Sequence, residues 1–482
     1  MIQKQNLFSR IAGISTIVLC AVGGFFLLKQ PAQSIPTKPT PEEIVQVTEV
    51  RSLPGQLDNI PLFNSDSPEW VKKEGILLST FPPEGKKVPA AHLNFPLQGQ
   101  FNLFAHHFSH TPPNLPTLYI GAMLYNPGTE PITVEVLQAE SYLMEPDPPF
   151  KQKPEQSESP NGEVYSGPGI RAVDNVLRGM RQSDFPEKLV IPGGESAMLM
   201  NRPIPVRGLE KPINGRSTFM RLNFRGGAPV PAHPVSAPAK VYAATLAMYA
   251  KQNPDGSDRP PTLQEWQELL DNGGLAGPRD KTPTPPGGAG NLIYGRVAGV
   301  QQGSGWQAQL VDRDSTDLKI PEMGKGISFA IATLRGGKLG TEQVQAAKLL
   351  ARYPDTACEA RGNYGVYYDL ALQRYNAGDK LQTVGLSLAK PLKEDVLSKN
   401  GWRFRKPSLD FPYFRGTVRL RYQDGGGVNT TRYVHLWHRV GQVVEPMVKL
   451  KLAAGESRSI KVDFIYPPDA TPPQVLTVRT LE

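Results

Sequence analysis

The sequence predicts an all-β protein: two β-sandwich domains of the immunoglobulin-like type, joined by a connector with one short helix and preceded by an N-terminal signal or anchor helix. Three observations carry that reading. Proline and glycine, 48 and 46 of 482 residues, are spread along the chain and interrupt short β-branched and aromatic runs. Those runs have the length of ordinary strands, and only one stretch carries both the start and the stop signal of a helix. A weak internal repeat then places similar strand-turn-strand units in both halves of the chain.

In chain order, the first element is an apolar run over residues 11–28, preceded by Lys4 and Arg10 without any acid and followed by Lys29 and Pro31. A signal-peptide core has about 7–15 apolar residues and a membrane span about 20, so this run falls between the two and both cleavage and retention stay open. Ala32 and Ser34 supply small residues before a cleavage point at Ile35. Leu19 is too bulky to precede a lipid-modified Cys20. The cationic flank keeps the N-terminus inside and places the rest outside the cytoplasm, in the periplasm or cell envelope. Residues 1–34 therefore read as signal peptide or signal anchor, which holds the chain to the membrane if it is uncleaved. Beyond them Cys358 is the only cysteine, so no disulfide can link the folded parts and stability must come from burial.

Candidate strands follow at 117–125, 132–137, 218–224, 241–249, 366–372, 417–422, 433–437 and 460–466. Between them Thr262 is placed as an N-cap, Glu265 completes a capping box, Trp266, Leu269 and Leu270 form an apolar stripe, and Gly273 ends the helix. Residues 341–353 fit a helix and a strand equally well. Pro/Gly-rich stretches at 30–42, 145–169, 253–261 and 277–290 read as loops or linkers. The expected domains are 35–252 and 356–482, with 253–355 as connector.

The repeat matches 19 residues from Leu118 to 19 from Tyr368, with Tyr125-Asn126 over Tyr375-Asn376 and Gly128 over Gly378. Asn and Gly suit a tight turn, so each copy reads as a hairpin. Gly194-Glu195-Ser196 echoes Gly455-Glu456-Ser457 in another expected hairpin.

Several long segments carry a resemblance: SLPGQLDNIPLFNSDSPEW from Ser52, FAHHFSH from Phe104, NRPIPVRGLEKPINGRSTFMRL from Asn201, GNYGVYYDL from Gly362 and RYVHLWHRVGQVVEP from Arg432. They resemble a cyanobacterial protein family of unknown function over nearly the whole exported chain. The resemblance implies a bacterial envelope or exoprotein setting and transfers no catalytic residue.

The residues themselves offer little chemistry. His106, His107 and His110, with Asp58 or Glu69, could in principle hold a metal, but neighbouring strand histidines point to opposite faces. His435 and His438 beside Trp437 read as sheet packing. Asp312, Asp314 and Asp317 resemble the opening of a calcium loop but lack its glycine and distant glutamate. No nucleophile elbow, zinc-protease helix or phosphate loop is present, and no cofactor is expected. Cys358 is expected to be buried and inert.

Of the formal net charge of +8, residues 360–482 carry all of the positive balance outside the signal. Arg403, Arg405 and Lys406 cluster with Arg419 and Arg421, which alternate with Val418, Leu420 and Tyr422 and so share one face of a strand. Such a face suits an envelope polyanion, a polysaccharide or an anionic surface, whereas nucleic acid is not an expected partner outside the cytoplasm. The sequence is therefore read as a non-enzymatic extracytoplasmic protein that binds a wall polymer, an exopolysaccharide or another envelope protein. The alternative is an extracytoplasmic hydrolase of carbohydrate or peptidoglycan, whose two carboxylates need no sequence spacing.

Overall fold

The computed structural model describes residues 41–110, 115–146, 152–225, 239–289, 291–410, 412–468 and 470–481. The expected signal or anchor at 1–34 lies outside these residues. Among the described residues strands account for 46% and helices for 6%, which makes the fold all-β. Residues from Pro41 onward form one compact unit. No helix among the described residues is long and apolar enough to cross a membrane.

Two sandwiches arise because strands with alternating apolar residues bury one face against a second sheet. In the first, a nine-stranded sheet runs in the order Lys188–Ile191, Ile132–Leu143, Asn214–Arg225, Gln100–Ser109, Leu62–Ser65, Ala298–Gln301, Ala347–Arg352 and Glu359–Ala360, with Trp70–Val71 also paired to Gln100–Ser109. A five-stranded sheet faces it, ordered Ser196–Ile204, Leu118–Tyr125, Lys240–Tyr249 and Gly75–Ser79, with Leu97–Gln98 beside Lys240–Tyr249. Phe63, Leu103, Val134 and Met220 from one sheet meet Ile120, Leu124 and Ala243 from the other.

The second sandwich closes a seven-stranded sheet, including Tyr367–Tyr375, Pro412–Gln423, Asn429–Arg439 and Ser457–Ile465, over a five-stranded one that includes Gly326–Ile331, Gln382–Ala389 and Gln474–Leu481. Tyr368, Val418, Val462 and Phe464 pack against Phe329, Leu386, Leu476 and Val478.

Helix α1, Pro168–Leu177, lies between the sandwiches: Ala172, Val173, Val176 and Leu177 cluster with Leu62, Phe104 and Phe219 of the nine-stranded sheet and Ile465 of the seven-stranded sheet. Helix α2, Leu263–Asn272, starts at Thr262 with the expected capping box to Glu265 and buries Trp266 and Leu270 on the outer face of the first sandwich.

The sheets draw strands from across the chain. Glu49–Arg51 pairs with Gly326–Ile331, and Gln156–Glu158 pairs with Asn429–Arg439. Residues 298–301 and 347–352 extend the first sandwich, whereas 305–310 and 326–331 belong to the second.

The repeated units are not hairpins. Leu118–Tyr125 lies in the five-stranded sheet of its sandwich and Ile132–Leu143 in the nine-stranded one, so the Asn126 turn carries the chain from one sheet to the other. The Asn376 turn does the same between Tyr367–Tyr375 and Gln382–Ala389. The undecided stretch 341–353 contains the strand Ala347–Arg352, because its neighbour Ala298–Gln301 offers a free edge. Cys358 is half-buried rather than buried.

Candidate functional site

Polar and aromatic residues from four segments that pairing draws together line a hollow beside the first sandwich. Strand Trp70–Val71 runs parallel to Gln100–Ser109 with Trp70 opposite Phe108, which sets the indole beside the end of that strand. Trp70 stacks on Phe108, with centroids 5.0 Å apart, and meets His110 edge-on at 6.4 Å. The carbonyl of Gly277 accepts from the N–H groups of Lys72 (2.8 Å) and Lys73 (3.0 Å), and this ties segment 277–280 to the same place. Trp70, Lys72, His110, Ile213, Pro278, Arg279 and Asp280 line an open hollow of about 370 Å³. That volume lies at the small end of ligand sites, which span about 300–1,000 Å³.

Every carboxylate near this cavity has a structural partner. Asp280 accepts from Ser67 Oγ at 2.6 Å and from Arg296 Nη1 at 3.1 Å. Arg296 also pairs with Glu69, whose Oε1 lies 3.9 Å from His106 Nε2. Asp355 takes two hydrogen bonds from Arg279, Nε at 2.7 Å and Nη2 at 3.0 Å. Arg279 Nη1 has no hydrogen-bond partner among the described residues. Asp66, which feels the charges of Glu69, Arg296 and Asp280, is buried, and that burial together with the Glu69 charge pushes its carboxyl well above the usual carboxylate range. Burial favours the neutral form of Arg296, but Glu69, Asp66 and Asp280 outweigh it and keep the guanidinium charged. Among the described residues Lys72 has no carboxylate partner.

His106 and His107 point to opposite faces of their strand. His106 Nδ1 is hydrogen-bonded to Ser217 Oγ at 2.6 Å, while His107 is held by Ser65 Oγ (3.0 Å) and the Pro68 carbonyl (2.8 Å) inside the first sandwich. Burial lowers the His107 pKa to about 4. His110 stands apart from both, at the cavity, and Glu69 approaches only His106. Among the described residues no group of three or more His, Cys, Asp or Glu side chains is arranged to hold a metal ion. Asp58 instead accepts from the backbone of Ile60 and Ser304, and Asp312 pairs with Arg51 at 2.8 Å.

The basic C-terminal residues are largely engaged. Arg403 pairs with Glu43 (2.7 Å) and Glu394 (3.2 Å). Arg405 Nε donates to the Pro407 carbonyl at 3.1 Å, and Lys406 is exposed. Arg419 and Arg421 do share a face, but both turn onto Asp463, whose side chain is 0% exposed, at 3.2 and 2.6 Å. Burial pushes the Asp463 carboxyl up, yet the two guanidiniums and the Tyr367 hydroxyl outweigh it and hold it below the usual carboxylate range. The shared face is therefore not an open one at Arg419, whose side chain is 19% exposed because a carboxylate on the neighbouring strand reaches it.

Trp70, Lys72, Arg279 and Asp280 were not singled out by the sequence. They are separated by some two hundred positions, and SPEW and GPRD have no spacing rule that would join them.

Fold and site together define an all-β protein of two packed sandwiches with an open, aromatic-lined hollow beside the first. The chain belongs to the DUF3370 family of proteins of unknown function, whose profile matches residues 48–480. No curated protein matches the sequence. Among solved structures, Lac15 from a marine microbial metagenome is 9% identical over 77% of this chain and 51% of its own, so this chain spans about half of it, at a TM-score of 0.10. Procruciferin, an 11S globulin from Brassica napus, is 10% identical over 88% of this chain and 84% of its own, and a pumpkin seed globulin is 10% identical over 86% of each, both at a TM-score of 0.10.

Proposed function

We propose that this chain is a non-enzymatic, extracytoplasmic protein of a cyanobacterial envelope that binds a wall polysaccharide or exopolysaccharide at the Trp70 cavity. One observation carries the reading: an indole, an imidazole and apolar Ile213 and Pro278 share a cavity of about 370 Å³ with the charged side chains of Lys72, Arg279 and Asp280. Concave sites that bind by shape combine an apolar wall with a few polar groups in this way. Asp280 is the one carboxylate among the residues that line the hollow, whereas glycoside hydrolysis ordinarily uses a pair. The apolar run at 11–28 with its cationic flank supports export.

The test is co-sedimentation of the full chain with isolated peptidoglycan and precipitated exopolysaccharide from the producing cell, beside a Trp70→Ala variant. Binding by the parent that Trp70→Ala loses is expected. Equal recovery of parent and variant, or recovery of neither with the polymers, contradicts the reading.

A further inference from the structure

We infer that the Trp70 cavity takes an uncharged pyranose unit of a glycan rather than an anionic group, an inference that rests on the binding reading above. Of the charged groups that line the cavity or bond to its lining, Lys72, Arg279 and Arg296 are basic and Asp280, Glu69 and Asp355 acidic, so the bases do not outnumber the acids. The two guanidiniums are each committed to carboxylates, and the positive Lys72 is offset by the excess acid around Arg296. Such a set exerts no net field that would select an anion.

The remaining chemistry fits a sugar. A pyranose presents one apolar C–H face and a rim of hydroxyls, each of which can both donate and accept. The apolar face has Trp70, Ile213 and Pro278 to lie against, and Trp70 is fixed for that role by its stacking on Phe108. The hydroxyls meet both kinds of partner, donors from Lys72 and Arg279 and an acceptor in Asp280. Arg279 is held in place by Asp355, which takes hydrogen bonds from Nε and Nη2, and by the Tyr353 ring beneath its guanidinium. The cavity volume suits one or two sugar units rather than a long chain, so a branch or chain end is the bound element.

The experiment is titration calorimetry of the full chain with two sets of oligosaccharides of matched length. One set is neutral, built on glucose, galactose, mannose, xylose or N-acetylglucosamine; the other is acidic, built on galacturonate or glucuronate. Each titration is made at about 50 mM and about 500 mM salt, which changes the screening of exposed charges several-fold. The expected result is binding of at least one neutral sugar, with less than about a twofold change in affinity between the salts. Trp70→Ala should weaken that binding about tenfold or more. Lys72→Gln, an exposed position that leaves the fold unaltered, should weaken it by about threefold or less. A melting curve of Trp70→Ala accompanies the titration, and Trp70→Phe, which keeps a ring, should retain intermediate affinity. Binding confined to acidic sugars and abolished by salt overturns this inference while leaving the polysaccharide-binding reading standing. Failure of every sugar in both sets, or equal binding by Trp70→Ala, overturns both.

Discussion

Asn126 and Asn376 make the same set of hydrogen bonds at the same place in the two sandwiches. Asn126 Nδ2 donates to the carbonyls of Glu130 (2.8 Å), Ile191 (3.0 Å) and Pro192 (3.2 Å), and its Oδ1 accepts from the Gly128 N–H at 2.9 Å. Asn376 does so with Lys380 (2.8 Å), Leu452 (3.0 Å), Ala453 (3.0 Å) and Gly378 (3.0 Å). The backbone agrees as well, because Asn126 N–H donates to Glu195 and Asn376 N–H to Glu456. The repeated Tyr-Asn and Gly-Glu-Ser motifs are therefore touching parts of one device, which pins two chain crossings between sheets to each other.

Asn126→Ala and Asn376→Ala should each leave two or three turn carbonyls without a donor and cost about 3 kcal/mol. Asn376→Asp, which keeps the acceptor but sets an anion against carbonyls, should cost at least as much. Urea unfolding of the full chain reads both. A loss below about 0.5 kcal/mol in either alanine variant would show that the contact is incidental.

Removing both guanidiniums from Asp463 should be far more damaging than removing exposed charges. Asp463 has a 0% exposed side chain and would retain only the Tyr367 hydroxyl, at 2.8 Å. Arg419→Gln/Arg421→Gln should cost about 3–5 kcal/mol, the usual effect of stranding a buried charge. Arg405→Glu/Lys406→Glu, at positions without a carboxylate partner among the described residues, should stay within about 0.5 kcal/mol of the parent. Similar melting of the two double variants would contradict this account.

Asp66 gives a prediction with a definite sign in pH. Its folded-state pKa is raised, so the folded chain binds a proton there that the unfolded chain releases above about pH 4. The stability it contributes is complete below that value and is lost as pH rises through the folded pKa. Asp66→Asn removes this dependence, so the variant should gain stability relative to the parent as pH rises from about 4 to about 8. Paired unfolding curves across that range test it; a difference that stays constant or shrinks would contradict it.

Alkaline phosphatase fused to the C-terminus should be active, because the cationic flank of residues 11–28 orients the remainder outward. An abundant but inactive fusion would contradict export.

What the sequence made legible follows from the range of the interactions involved. The α2 helix was readable because Thr262, Glu265 and Gly273 are a local signal with its own hydrogen bonds. Strands such as Lys240–Tyr249 were readable from their apolar content. Helix α1 was not, since it opens on Gly167-Pro168-Gly169 without a side-chain cap, inside a stretch that reads as loop. A β-carbon at Gly169 would collide with Pro468, so that glycine records a tertiary contact rather than flexibility. The Asn126 turn was located but misread, because local residues specify a turn without saying whether the flanking strands pair. The site was least legible. Trp70 and Arg279 line one hollow because Lys72 and Lys73 hydrogen-bond to Gly277 and Ser67 to Asp280, long-range pairings with no local signature.

The most direct measurement of the central claim is amide hydrogen exchange of the full chain with and without its envelope polysaccharide. Segments 70–73 and 277–280, whose backbones bond to each other beside the cavity, should gain protection together. Unchanged exchange in both segments, with protection confined to 401–406 and 415–421, would contradict the account and move binding to the basic strands.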